Sequence, residues 1–144
     1  MGKINAGRVL LGGLLAGIVI NVFEYIFSGV VFKDEISAAM VALNKSADMS
    51  GGAMAIYLCW GFLVGILAVW LYAAIRPRFG AGARTAVKTG CAMWLLVNVQ
   101  MAISIAPMGL FPQRLMAIGI VIGLLEMVLA TVLGAWLYKE EVAT

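Results

Sequence analysis

Two carboxylates stand where a bilayer would bury them. Glu24 lies inside an apolar run over 9–32, and Glu126 inside another over 115–138. A charged side chain at mid-bilayer costs about 2.5–3.5 kcal/mol on insertion scales, so such residues face neighbouring helices rather than lipid. Around Glu24 the small and polar residues fall at helical steps: Gly13, Gly17, Asn21, Glu24 and Ser28 share one stripe of an α-helix. Gly119, Gly123, Glu126, Ala130 and Gly134 form the same kind of stripe around the second carboxylate. Glu24 is eight residues from the outer end of its run, and Glu126 about eleven from the outer start of its own. Asn98 and Gln100 fall at similar depth on a further run, and Asn98 fits the inward line better. The expected site is therefore a polar cluster of Asn21, Glu24, Asn98 and Glu126, with both carboxylates pointing into the bundle.

No Lys or Arg lies at that depth to neutralise the pair. The glutamates must then carry a proton, or a cation or another subunit must compensate them. Two carboxylates sharing a proton or a cation suit a carrier or binding protein for a cationic or protonatable solute. The plainer reading is a pair of neutral glutamic acids bonded across helices as structural glue.

Other chemistry is excluded by what the chain lacks. It has no histidine, which removes the commonest general base and metal ligand. Walker, HExxH and Cys-x-x-Cys patterns are missing, and no apolar run contains an aspartate. Cys59 and Cys91 fall near opposite ends of their runs, so they do not share a metal. We expect no enzyme activity, no cofactor and no metal.

The elements that would position the cluster follow from composition. The 144 residues are 64% hydrophobic and 12% charged, with a mean hydropathy of +1.05, against about 25% charged in ordinary soluble domains. This predicts a single all-α transmembrane domain over 1–144, a four-helix bundle in the lipid bilayer. Its spans are expected near 9–32, 53–75, 86–106 and 115–138, with Pro77 ending the second. Within 33–52, Ile36, Met40 and Leu43 recur at helical spacing, which predicts a short amphipathic helix capped by Asp34 or Ser37. The net charge of +3 does not indicate nucleic-acid binding, because the basic residues gather at helix ends. Lys3, Arg8, Arg76, Arg78, Arg84, Lys88 and Lys139 fall on one side, and Lys33, Lys45 and Arg114 on the other. By the positive-inside rule both termini are cytoplasmic, as in a bacterial inner membrane. Trp70-Leu71-Tyr72 and Trp136-Leu137-Tyr138 would then form an aromatic belt at the inner interface.

Glycines supply the expected packing code. Gly13 and Gly17, Gly61 and Gly65, and Gly119 and Gly123 are Gly-x-x-x-Gly pairs, which bring helix backbones close in lipid. Four helices enclose little volume, so a homo-oligomer or a place in a larger membrane complex is expected. The alternative function is an accessory subunit that packs through these glycine faces. Internal matches also suggest a duplicated hairpin. Gly13 precedes Asn21 by the same interval as Gly90 precedes Asn98, and the two Trp-Leu-Tyr triplets end the even runs. A competing match pairs Gly17-Ile-Val-Ile and Glu24 with Gly119-Ile-Val-Ile and Glu126.

Overall fold

The computed structural model describes residues 3–140; the acidic close of the chain at Glu141 lies outside them. Five helices follow one another: α1 over Ala6–Val31, α2 over Lys33–Ala42, α3 over Gly51–Phe79, α4 over Ala83–Met108 and α5 over Gln113–Trp136. No strand occurs among the described residues. All but α2 are long and apolar enough to cross a membrane.

The helix ends have local causes. Asn5 caps α1, its Oδ1 accepting from Arg8 N at 3.0 Å, and Ser50 caps α3 through Ala53 N at 3.2 Å. Two expectations about ends are corrected. Pro77 does not stop α3, which runs on to Phe79 and ends at Gly80, a glycine with φ +84°. Pro77 lies in the final turn, where its ring withholds one N–H and little helix remains beyond it to be displaced. α2 follows Phe32, which gives it no side-chain cap, so neither Asp34 nor Ser37 serves. Asp34 and Glu35 instead occupy the first turn, where the helix dipole favours acids. Ile36, Met40 and Leu43 lie half-buried along α2, and Ala39 between them is buried.

α1 packs chiefly on α3, and α4 on α5, as two antiparallel hairpins. α1 also meets α5, which joins the hairpins. Glycine makes these approaches possible. A Cβ on Gly13 would lie 2.5 Å from Ile66 Cα, one on Gly17 would lie 2.7 Å from Phe62 Cα, and one on Gly90 would lie 2.7 Å from Val128 Cα. A Cβ on Gly65 would fall 2.9 Å from Gly17 Cα, and one on Gly134 would fall 2.7 Å from Gly12 O. Gly119 is different, because a Cβ there meets only Phe27 Cζ at 3.8 Å, an ordinary contact. The Gly17 and Gly119 copies of the Gly-Ile-Val-Ile match therefore have different surroundings.

Burial is uneven along the bundle axis. Ala16, Ile20, Val64, Ala68, Val69, Ala86, Met93, Met127 and Ala130 form the core, in the half nearer the chain termini. In the other half, Tyr57, Leu58, Cys59 and Trp60 are consecutive and all exposed. Four successive residues take in every side of a helix, so the first turns of α3 are thinly covered, α1 reaching them through Asn21 at Leu58 O. The same half of α4 exposes Leu95, Leu96, Met101 and Ile103. The bundle is closed at its terminal end and splayed at the α2 end.

The closed end is held by two tyrosines. Gly82 N donates to the Tyr72 hydroxyl at 3.1 Å, and Asn5 N donates to the Tyr138 hydroxyl at 3.4 Å. Each tyrosine thus ends one hairpin and ties down the start of the other. Their rings meet edge-to-face at 6.0 Å, with the Arg76 guanidinium 5.6 Å from the Tyr138 centroid. This corrects the expected aromatic belt. Trp70 and Trp136 are exposed, but Tyr72 is buried, because two residues along α3 turn the side chain to nearly the opposite face, and Tyr138, just past the end of α5, is buried against it.

Candidate functional site

The asparagines sit at the level where the helices begin to part. Asn21, on α1, donates through Nδ2 to Gly17 O at 2.8 Å and across to Leu58 O of α3 at 3.3 Å. Gly61 makes room for it, since a Cβ there would fall 2.7 Å from Asn21 Nδ2. Asn98, on α4, lies in the corresponding way on α5, where a Cβ on Gly123 would fall 2.7 Å from Asn98 Cγ. Asn98 is half-buried, and its Oδ1 is sealed from solvent without a hydrogen-bond partner. Gln100, two positions on, is exposed and turns its Nε2 to Ser104 Oγ at 3.5 Å.

Glu126 follows Gly123 by one turn of α5 and is 3% exposed. Its Oε1 is also sealed without a partner. Two acceptor oxygens on facing helices, Asn98 Oδ1 and Glu126 Oε1, are therefore buried with nothing to donate to them among the described residues. A buried acceptor left unpaired costs about 1–3 kcal/mol and more when it is charged. Each such acceptor calls for a hydrogen-bond donor.

Glu24 behaves differently from the expectation. It is exposed, and Ser28 Oγ donates to its Oε2 at 3.3 Å. Yet its place on α1 is inward: it follows Asn21, which contacts α3, by three residues and precedes Phe27, which faces Gly119 of α5, by three. Glu24 is open because the helices have already separated at its level, and Glu126 is sealed because they have not. Neither ion pair among the described residues involves Glu24 or Glu126; these join Arg76 to Glu140 and Arg114 to Glu35, both at 3.9 Å.

Sequence reasoning missed two features here. The first is a change of helix type. Phe32 N bonds to Phe27 O and Gln100 N bonds to Leu95 O, each five residues back. α1 is widened in this way over Tyr25–Val31, and α4 over Leu95–Val99. Widened turns of this kind recur at functional sites, and these two adjoin Glu24 and contain Asn98. Neither stretch contains proline, and no residue pattern marks them. The second is Trp94, whose indole Nε1 donates to Ile120 O at 2.8 Å. It fixes α4 on α5 one turn from Asn98.

Of the sequence-derived candidates, Asn98 lies against α5 at Gly123, and Glu126 is buried on α5 three residues further on. Asn21 lies on the α1–α3 face, and Glu24 stands where the helices have parted. The described residues contain no group of three or more Cys, Asp or Glu arranged to hold a metal. Cys59 is exposed, Cys91 is half-buried, and both are free thiols.

Compared with protein-family models, with curated proteins and with solved structures, the chain has no match.

Proposed function

We propose that this is a small membrane carrier or binding protein for a cationic or protonatable solute, with Glu126 as its principal ligand-binding group. One observation carries the reading: Glu126 Oε1 and Asn98 Oδ1 are both buried and unpartnered on facing helices, beside the splayed half of the bundle. Buried acceptors in an apolar bundle call for a proton or cation. The open side of the site is flanked by Glu24, whose charge adds to the attraction.

The bilayer setting and its direction belong to the same reading. The start of α1, the α3–α4 turn and the end of α5 share the closed end, and with them Lys3, Arg8, Arg76, Arg78, Arg84, Lys88 and Lys139. This end is cytoplasmic under the positive-inside rule, and the splayed half opens outward. A duplicated hairpin accounts for the matching contacts: Gly13 on Ile66 and Asn21 on Gly61 repeat as Gly90 on Val128 and Asn98 on Gly123. The tyrosine ties, Tyr138 to Asn5 and Tyr72 to Gly82, repeat across the hairpins. The register of the glycine contacts differs from that of the Trp-Leu-Tyr match by about one helical turn. The accessory-subunit alternative gains less support, since Gly13, Gly17, Gly61, Gly65, Gly90, Gly123 and Gly134 are occupied by contacts within the chain.

The test is uptake of methylammonium into proteoliposomes under an imposed pH gradient. Uptake should exceed that of protein-free vesicles and fall to their level in Glu126→Gln, with helicity and elution volume unchanged. Wild-type uptake by a folded Glu126→Gln protein would refute the reading.

A further inference from the structure

We propose that the corner between α3 and α4 binds the headgroup of an anionic phospholipid, with Arg84 and Lys88 as its contacts. This site lies at the closed end and does not depend on the glutamates above. Charge is shared unequally between the two ends. At the α2 end, Lys33, Lys45 and Arg114 are matched by Asp34, Glu35 and Asp48. At the closed end, Glu140 is the one acid among the described residues, and Arg76 engages it at 3.9 Å. Arg78, Arg84 and Lys88 are all exposed, and none has an acidic partner among the described residues. Helix stability does not account for the two on α4. The helix dipole favours acids in an opening turn, and that of α4 has none.

The corner holds these cations on a rigid frame. Buried Thr85 donates through Oγ1 to Phe79 O at 3.2 Å and to Gly80 O at 2.7 Å. Lys88 turns back toward the same corner, its Nζ 4.6 Å from the Phe79 ring centroid. A lysine takes that direction when it carries its charge from the edge of the hydrocarbon to the headgroups. The 26 residues of α4 measure about 39 Å against a hydrocarbon core of about 30 Å, which puts Arg84 in the headgroup layer and Lys88 at its border with the hydrocarbon. Steps of four, three and four carry one face of α4 from Arg84 through Lys88 and Cys91 to Leu95. Two unpaired cations at headgroup level thus continue into a helix face that is apolar and exposed at Leu95. A water-soluble phosphate would answer the cations and leave the apolar face bare. A zwitterionic lipid would cover the face and leave net positive charge. An anionic phospholipid does both.

Native mass spectrometry of the full chain tests this, in detergent containing equimolar phosphatidylglycerol and phosphatidylcholine of the same acyl chains. Wild type should retain phosphatidylglycerol about tenfold over phosphatidylcholine, since each cation near an anionic headgroup raises affinity several-fold. Arg84→Gln combined with Lys88→Gln should bring the ratio close to one, with helicity unchanged. Lys88→Gln alone should lower it several-fold, which covers the case in which the double variant does not fold. Lys33→Gln combined with Lys45→Gln removes the same charge from the α2 end and should keep the preference. Excess glycerol 3-phosphate should leave the lipid in place. Equal retention of the two lipids by wild type, or an unchanged ratio in Lys88→Gln and the folded double variant, would overturn the inference. Equal losses in both double variants would trace the preference to net charge and overturn it too. Displacement of the lipid by glycerol 3-phosphate would make this a site for free phosphate and refute the lipid.

Discussion

Asn98 depends on the absence of a side chain at Gly123. Only hydrogen at that position lets the asparagine lie across α5 within one turn of the carboxylate. Gly123→Leu should therefore displace Asn98 and lower Tm in detergent, at a cost of about 1–3 kcal/mol for overpacking. Gly119→Ala, where a Cβ finds room, should leave Tm close to wild type. Thr131 offers a control for the meaning of an unpartnered polar atom. It is fully buried and its Oγ1 has no partner. Thr131→Val keeps the shape and removes the orphan, so it should hold or raise stability, by about 1 kcal/mol, with uptake unchanged. If Glu126→Gln abolishes uptake while Thr131→Val does not, the orphan at Glu126 is functional and the one at Thr131 structural. Helical spacing and the cost of charge in lipid named Asn21, Glu24, Asn98 and Glu126 as the candidates. That Glu24 would be open was not, because the level at which helices separate depends on side chains of all four.

At the scale of the helices, the closed end owes its order to ties between hairpins. The hydroxyls of Tyr72 and Tyr138 each accept from a backbone N–H at the start of the other hairpin. Tyr72→Phe should cost about 1 kcal/mol, the net value of one hydrogen bond, and Tyr138→Phe less, since its bond is longer. Thermal unfolding in detergent reads both. A larger loss would mean that these ends order the whole bundle. The widened turns of α1 and α4 mark the opposite end of the packed region. Each shifts the phase of every later side chain on its helix relative to an unbroken α-helix. The expectation of regular spacing from Gly13 through Ser28 therefore serves well as far as Glu24 and is replaced by a wider turn beyond it.

For the whole molecule, the decisive feature is the gradient of packing from the closed end to the splayed one. It predicts a gradient of mobility. Few buried contacts and exposed helix faces are the marks of low local stability. Hydrogen exchange in nanodiscs should be faster at Leu95–Val99 and residues 51–60 than at residues 68–72 and 127–134. Uniform protection along α3 would show that the splayed half closes in a bilayer. Maleimide labelling should likewise favour Cys59 over Cys91.

Sequence alone determined the class of object. Its apolar runs are long and poor in charge, and each helix satisfies its own backbone, so four helices long and apolar enough to cross a membrane follow without reference to any partner. Helical periodicity also determined which residues share a face, because that is a local property of one helix. Tertiary structure alone decided how deep the packing reaches along those faces. It sealed Glu126 and opened Glu24, buried Tyr72 and Tyr138 while exposing Trp70 and Trp136, and occupied the glycines within the chain. Helix separation, rotation and register are set by the fit of side chains across interfaces, and no single stretch of sequence contains both sides of an interface.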